Sequence, residues 1–133
     1  MKRIYAIFLC GVMVIAAAVC IVAEKKMYSP SEMYLKIGVP ENLREAYRDF
    51  DRTLTKEDKN YIKNCPEDEL INLHFTLGMW IRNNWIYPSY GVGVSAEFTR
   101  RGVEHPDDIS MDIIEGYKKY LNGQPYGIED IIE

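Results

Sequence analysis

The chain has 133 residues and a mass of 15.5 kDa, with 47% hydrophobic, 27% charged and 12% aromatic residues, which excludes collagen-like, low-complexity and wholly disordered classes. All 20 acidic residues follow Ala23, and the 16 basic residues less Lys2 and Arg3 leave 14 beside them, a net charge of −6. An acidic domain repels phosphate backbones, so no nucleic-acid partner is expected.

Residues Ile4 to Ala23 form 20 consecutive uncharged residues, flanked by Lys2 and Arg3 before and by Glu24, Lys25 and Lys26 after. As a helix rising about 1.5 Å per residue, such a run spans roughly 30 Å, the thickness of a bilayer core. Residues 1–23 therefore read as a signal anchor. The alternative is a signal peptide cleaved near Ala16 and Ala18, which would leave a secreted domain. The basic residues ahead of the run place the N-terminus in the cytoplasm and the domain outside it.

Residues 24–39 are polar and aromatic and read as a tether, followed by a helical domain over 40–133. Pro40 is expected to open a helix whose apolar stripe is Leu43, Ala46, Tyr47, Phe50 and Leu54. Thr55 with Asp58 three residues on resembles a capping box, starting a short helix that carries Tyr61 and Ile62. Cys10 and Cys20 belong to the apolar run, so Cys65 is alone in the domain and cannot form an internal disulfide. It is expected to be a small filler near a helix start.

Pro66 is expected to start a third helix running to about Trp85, with Glu67, Asp68 and Glu69 in its first turn, where negative charge suits the helix dipole. At 100° per residue its apolar side chains cover roughly 260° of the circumference, the pattern of a central helix wrapped by its neighbours. His74, Arg82 and Asn84 fall inside that arc, with Gly78 midway between His74 and Arg82. Buried polar groups require partners. Arg82 is expected to pair with Asp107 or Asp108, and Gly78 marks a close approach by another element.

Ile86 to Val94 carries Pro, Gly and Tyr and reads as a loop, in which Tyr87 and Tyr90 are candidate contact residues or lids over the core. Ser95 is expected to cap a short helix ending at Gly102. His105-Pro106-Asp107-Asp108 forms a turn into a last long helix carrying Ile109, Ile113, Tyr117, Tyr120 and Leu121, which stops at Asn122-Gly123. No alternating strand pattern of useful length occurs. The fold class is all-α, about five helices around a central hydrophobic one.

The run Leu73-His74-Phe75-Thr76-Leu77-Gly78-Met79-Trp80-Ile81-Arg82-Asn83-Asn84-Trp85 resembles a motif in a family of small bacterial helical domains of unknown function. His105-Pro106-Asp107-Asp108-Ile109-Ser110 and the stretch from Tyr117 to Gly123 are similar to that family's later blocks, so the resemblance covers about Val39 to Ile132. Ile86-Tyr87-Pro88-Ser89-Tyr90 departs from the Gly-Leu-Trp-rich stretch that follows the second Trp in that family. The resemblance implies one helical domain and brings no activity with it.

No metal-ligand spacing such as H-E-x-x-H and no nucleophile motif is present, so no cofactor or metal is expected and an enzyme is the weaker reading. The favoured function is an interaction module with a protein or peptide partner. The alternatives are a small-ligand pocket near Arg82 and Trp85, or a reaction centre built from Arg82, His105, Asp107 and Asp108. His74, Arg82, Asn84, His105, Asp107 and Asp108 thus form the candidate polar network, structural or functional. Convergence in an open cleft would support function, and interlocking in a closed core would support structure.

Overall fold

The computed structural model describes residues 38–132, so the apolar run Ile4 to Ala23 and nearly all of the tether lie outside the described residues. Among the described residues no helix is long and apolar enough to cross a membrane, and no strand is present. The chain forms helix α1 (Leu43–Thr53), helix α2 (Lys56–Asn64), a helical rod α3 (67–89), helix α4 (Val94–Thr99), helix α5 (Pro106–Leu121) and helix α6 (Ile128–Ile131). The expected all-α class and its five helices are present, and α6 is a sixth, which had no long apolar pattern to announce it.

Helix α1 buries the expected stripe of Leu43, Ala46, Tyr47 and Phe50, with Leu54 beneath its end. It begins three residues later than Pro40 would place it, because the Asn42 side chain accepts a hydrogen bond from the Glu45 backbone N–H and caps it there. Pro40 is instead an extended anchor whose carbonyl accepts from Val94 N–H at 2.8 Å. Gly93 permits that approach, since a Cβ there would lie 2.8 Å from the Pro40 oxygen and the backbone sits at φ +61°.

Helix α2 carries the capping box read from Thr55 and Asp58, with both reciprocal hydrogen bonds made, at 3.1 and 3.0 Å. Cys65, just after α2, is buried, and burial pushes its thiol above the ordinary range, as expected for an inert filler. The end of α5 is tied to the same place, Lys118 Nζ donating to the Cys65 carbonyl at 2.6 Å and Asn122 to that of Lys63 at 3.0 Å.

Ser95 does not cap α4. It lies inside the helix, where its buried hydroxyl accepts from Gly91 N–H and donates back toward the carbonyls of Ser89 and Val92. The hydroxyl closes the loop that precedes the helix.

The core gathers Phe50, Trp85 and Tyr117, whose rings pack at centroid distances of 5.0 Å about Phe50. Tyr47 extends this cluster toward α5 at 5.5 Å from Tyr117. Gly116 makes the packing of α1 on α5 possible, because a Cβ there would collide with the Tyr47 hydroxyl and the Ile131 side chain. Ile109, Ile113 and Tyr117 of α5 are buried as their spacing predicted, and Tyr120 and Leu121 are partly covered.

The rod α3 departs from a uniform α-helix. It opens as a 3-10 turn at Glu67–Glu69, becomes α at Leu70–Leu73, widens to π at His74–Gly78, returns to α at Met79–Ile81, widens again at Arg82–Ile86 and ends as 3-10 at Tyr87–Ser89. Part of the expected loop from Ile86 onward is therefore helical. At a constant 100° per residue Arg82 would point within roughly 20° of Ile71 and Phe75. The wide turns under-rotate the chain and separate them, so Arg82 and Ile86 turn inward while Ile71, Phe75 and Met79 stay outward. The apolar arc is thus narrower than an ideal helix implies, and α3 is a wall with one open face rather than a fully wrapped axis.

Candidate functional site

Arg82 is the hub of the polar network. Its side chain leaves the second π turn of α3 and crosses back over Gly78 to reach the start of α5. Nε lies 3.0 Å from Asp107 Oδ1, Nη1 donates to Ser110 Oγ at 2.9 Å and Nη2 donates to the His74 carbonyl at 3.2 Å. Ser110 Oγ in turn donates to the Asp107 carbonyl at 2.8 Å. Every nitrogen of the guanidinium has a partner, and Arg82 is only 8% exposed. The charge is satisfied by one carboxylate and two neutral oxygens, the arrangement a buried guanidinium requires.

Gly78 supplies the room. A Cβ at that position would stand 3.1 Å from Arg82 Nη1, 3.3 Å from the Leu73 carbonyl and 3.5 Å from Ser110 Oγ. The close approach expected at this glycine is therefore made by the arginine's own side chain together with α5.

Two histidines flank the same carboxylate. His74 Nε2 is 3.8 Å from Asp107 Oδ1, and its ring meets Phe75 edge-on at 4.9 Å. His105 Nδ1 accepts the Asp107 backbone N–H at 3.2 Å, capping α5, and lies 3.6 Å from Asp107 Oδ2. Pro106 follows at the first helical position, where its missing N–H is harmless. Asp107 remains 42% exposed on its outer side.

Of the six candidate residues, His74, Arg82, His105 and Asp107 converge. The other two do not. Asn84 turns along its own helix to the Trp80 carbonyl at 2.8 Å, and Asp108 is exposed on the next face of α5. Ser110 is the member that the sequence reading did not single out. Its signal was a small polar residue on the apolar face of α5, between Ile109 and Ile113. Among the described residues no group of three or more His, Cys, Asp and Glu side chains is placed to hold a metal ion.

The loop tyrosines stand outward, Tyr87 at 59% and Tyr90 at 49% exposure, so neither is a closed lid over Trp85. Tyr90 is nevertheless oriented, its hydroxyl donating to the Glu104 carbonyl at 2.7 Å. On α3, Ile71, Phe75 and Met79 follow one another a turn apart, 54%, 54% and 51% exposed.

Fold and site together define a small all-α domain whose motif-bearing segments are spent on an internal arginine clamp between two helices. The chain belongs to the family described as Domain of unknown function (DUF6794), whose profile matches residues 39–121. That match spans both the α3 motif and the α5 clamp. No curated protein and no solved structure matches the chain.

Proposed function

We propose that this chain is a non-catalytic interaction module that holds its helical domain outside the cytoplasm through the apolar run Ile4 to Ala23 and binds a protein or peptide partner on the open face of α3. The observation that carries this reading is the row Ile71, Phe75 and Met79, three large apolar side chains half exposed on a rod braced from behind. A row at four-residue spacing offers the anchors by which an amphipathic helix or peptide is gripped. Tyr87 in the last turn of the rod and Tyr90 just after it add two more exposed aromatic side chains.

The closed arginine clamp supports the same reading from the other side. A ligand or substrate arriving at Arg82 would have to displace Ser110 or Asp107, and Trp85 is wholly buried. The membrane tether is supported by the length and flanking charges of residues 4–23.

Photo-crosslinking tests the proposal on the full chain in native membranes. A crosslinking amino acid at position 75 should give a discrete adduct, and one at exposed Lys56 should not. The adduct should disappear with Ile71→Asp/Met79→Asp. Equal adducts at both positions, or an adduct indifferent to those substitutions, would count against the α3 face.

A further inference from the structure

A cleft of about 290 Å³ between α1 and the end of α5 is lined by residues of two types, Arg44, Tyr47, Arg48, Tyr120 and Tyr126. We propose that it is a binding site for a ring-bearing organic anion, a carboxylate or phosphate carried on a flat aromatic or heterocyclic body. Neither the family assignment nor the α3 face speaks to this cleft, and the inference rests on neither.

The arginines give the first argument. Arg44, Arg48 and Arg52 stand at four-residue spacing on α1, a row of like charges that repel one another on a helix. Arg52 is offset by Asp49 at 2.8 Å. Arg44 and Arg48 are exposed, and among the described residues neither guanidinium has a hydrogen-bond or ion-pair partner. In a domain of net charge −6, two guanidiniums without such partners among the described residues thus stand together at one cleft, with Asp112 and Glu97 acting on the Tyr47 side of it. The carboxylate beside them, Asp51, is already committed, accepting the Tyr117 and Tyr120 hydroxyls at 3.0 and 2.5 Å. Guanidiniums present forked donors that match carboxylate and phosphate oxygens.

The tyrosines give the second. Tyr47, Tyr120 and Tyr126 form a rigid aromatic wall, with centroids 5.7 Å apart for Tyr47–Tyr120 and Tyr47–Tyr126, and 5.0 Å for the edge-on pair Tyr120–Tyr126. Tyr47 is buried, and Tyr120 is held by Asp51 and stacked on Tyr117, so the wall is formed before any ligand arrives. A bare inorganic anion would use the arginines and leave these faces idle, whereas a ring attached to the anion uses both. An adjoining cleft of about 310 Å³ shares Arg44 and Tyr126 and is lined also by Leu43, Glu97 and Ile128, leaving space for the body of the ligand.

Titration calorimetry on the full chain in non-ionic detergent micelles tests this with three probes: phenyl phosphate, benzoate and inorganic phosphate. Phenyl phosphate and benzoate should bind saturably, and inorganic phosphate about tenfold more weakly or not at all. Arg44→Gln/Arg48→Gln should weaken both ring-bearing probes by at least about tenfold with an unchanged melting midpoint, as both side chains are exposed. Arg44→Lys/Arg48→Lys should restore part of that loss by returning the charge without the fork. Absence of saturable binding by both ring-bearing probes, indifference to the Gln pair, or inorganic phosphate binding as tightly as phenyl phosphate would each overturn the proposal.

Discussion

Asp112 is half buried on α5, and burial, reinforced by the charges of Glu115 and Asp108, pushes its carboxyl up to about 6. A carboxylate raised in the folded state is held there more readily in its protonated form. Its favourable contribution is therefore complete below the unfolded value of about 4 and is lost as pH rises through about 6. Discounted for its partial exposure, the penalty at neutral pH is on the order of 1 kcal/mol. Asp112→Asn should accordingly be more stable than the parent at pH 7, with the difference fading toward pH 4. Paired denaturant melts at the two values check this, and an equal difference at both would be wrong for a titrating Asp112. Arg82 belongs to the opposite class, a buried charge made tolerable by three partners, and its partner was legible because so few carboxylates precede a helix that must pack against α3. The choice of Asp107 over Asp108 was not legible. It depends on which residue of the first turn of α5 faces the guanidinium, and Ser110 one turn on fixes that choice.

Helices α1, α2 and α5 were readable because apolar spacing, a capping box and a proline-led turn all pointed to the same elements. The rod α3 is legible in the sequence as a helix but not in its rotation. Two π turns change the residues per turn, and no residue in Leu73 to Trp85 announces them, so a fixed 100° step merges the outward row with the inward one. What the sequence did retain was Gly78, a residue that weakens an ordinary helix interior and so requires a reason. The reason is the guanidinium lying across it. In an exposed helix Gly→Ala adds about 1 kcal/mol, but at Gly78 the new methyl group must push on Arg82, which three bonds hold, and on a backbone carbonyl. Gly78→Ala is expected to give no gain and a net loss of about 1 kcal/mol in denaturant titration. A gain of the usual size would mean that the clamp is loose. The arginine and tyrosine cleft lay outside what pattern could reveal, since Arg44, Arg48, Tyr120 and Tyr126 come together only when α5 and the turn before α6 fold back onto α1.

At the scale of the molecule, the motif that carries the family resemblance is divided between two tasks. Its inward residues Leu73, Leu77, Gly78, Ile81, Arg82 and Trp85 build the core and the clamp, and its outward residues Phe75 and Met79 form a surface. The inner clamp carries stability that the outer row does not, since Arg82 is buried with three partners while Phe75 and Met79 are half exposed. Thermal melts of the full chain, followed by helical circular dichroism for Arg82→Ala and Phe75→Ser beside the parent, test this most directly. Removing Arg82 leaves the half-exposed Asp107 without its counter-charge and takes one hydrogen bond each from Ser110 Oγ, which keeps its bond to the Asp107 carbonyl, and from the His74 carbonyl, a loss of about 2–4 kcal/mol, milder than for a fully buried pair. For a domain of this size that lowers the midpoint by about 10–20 °C, whereas Phe75→Ser, at an exposed position, should move it by no more than about 3 °C. An unchanged midpoint for Arg82→Ala, or a collapse for Phe75→Ser, would contradict the division of the motif into an inner clamp and an outer face.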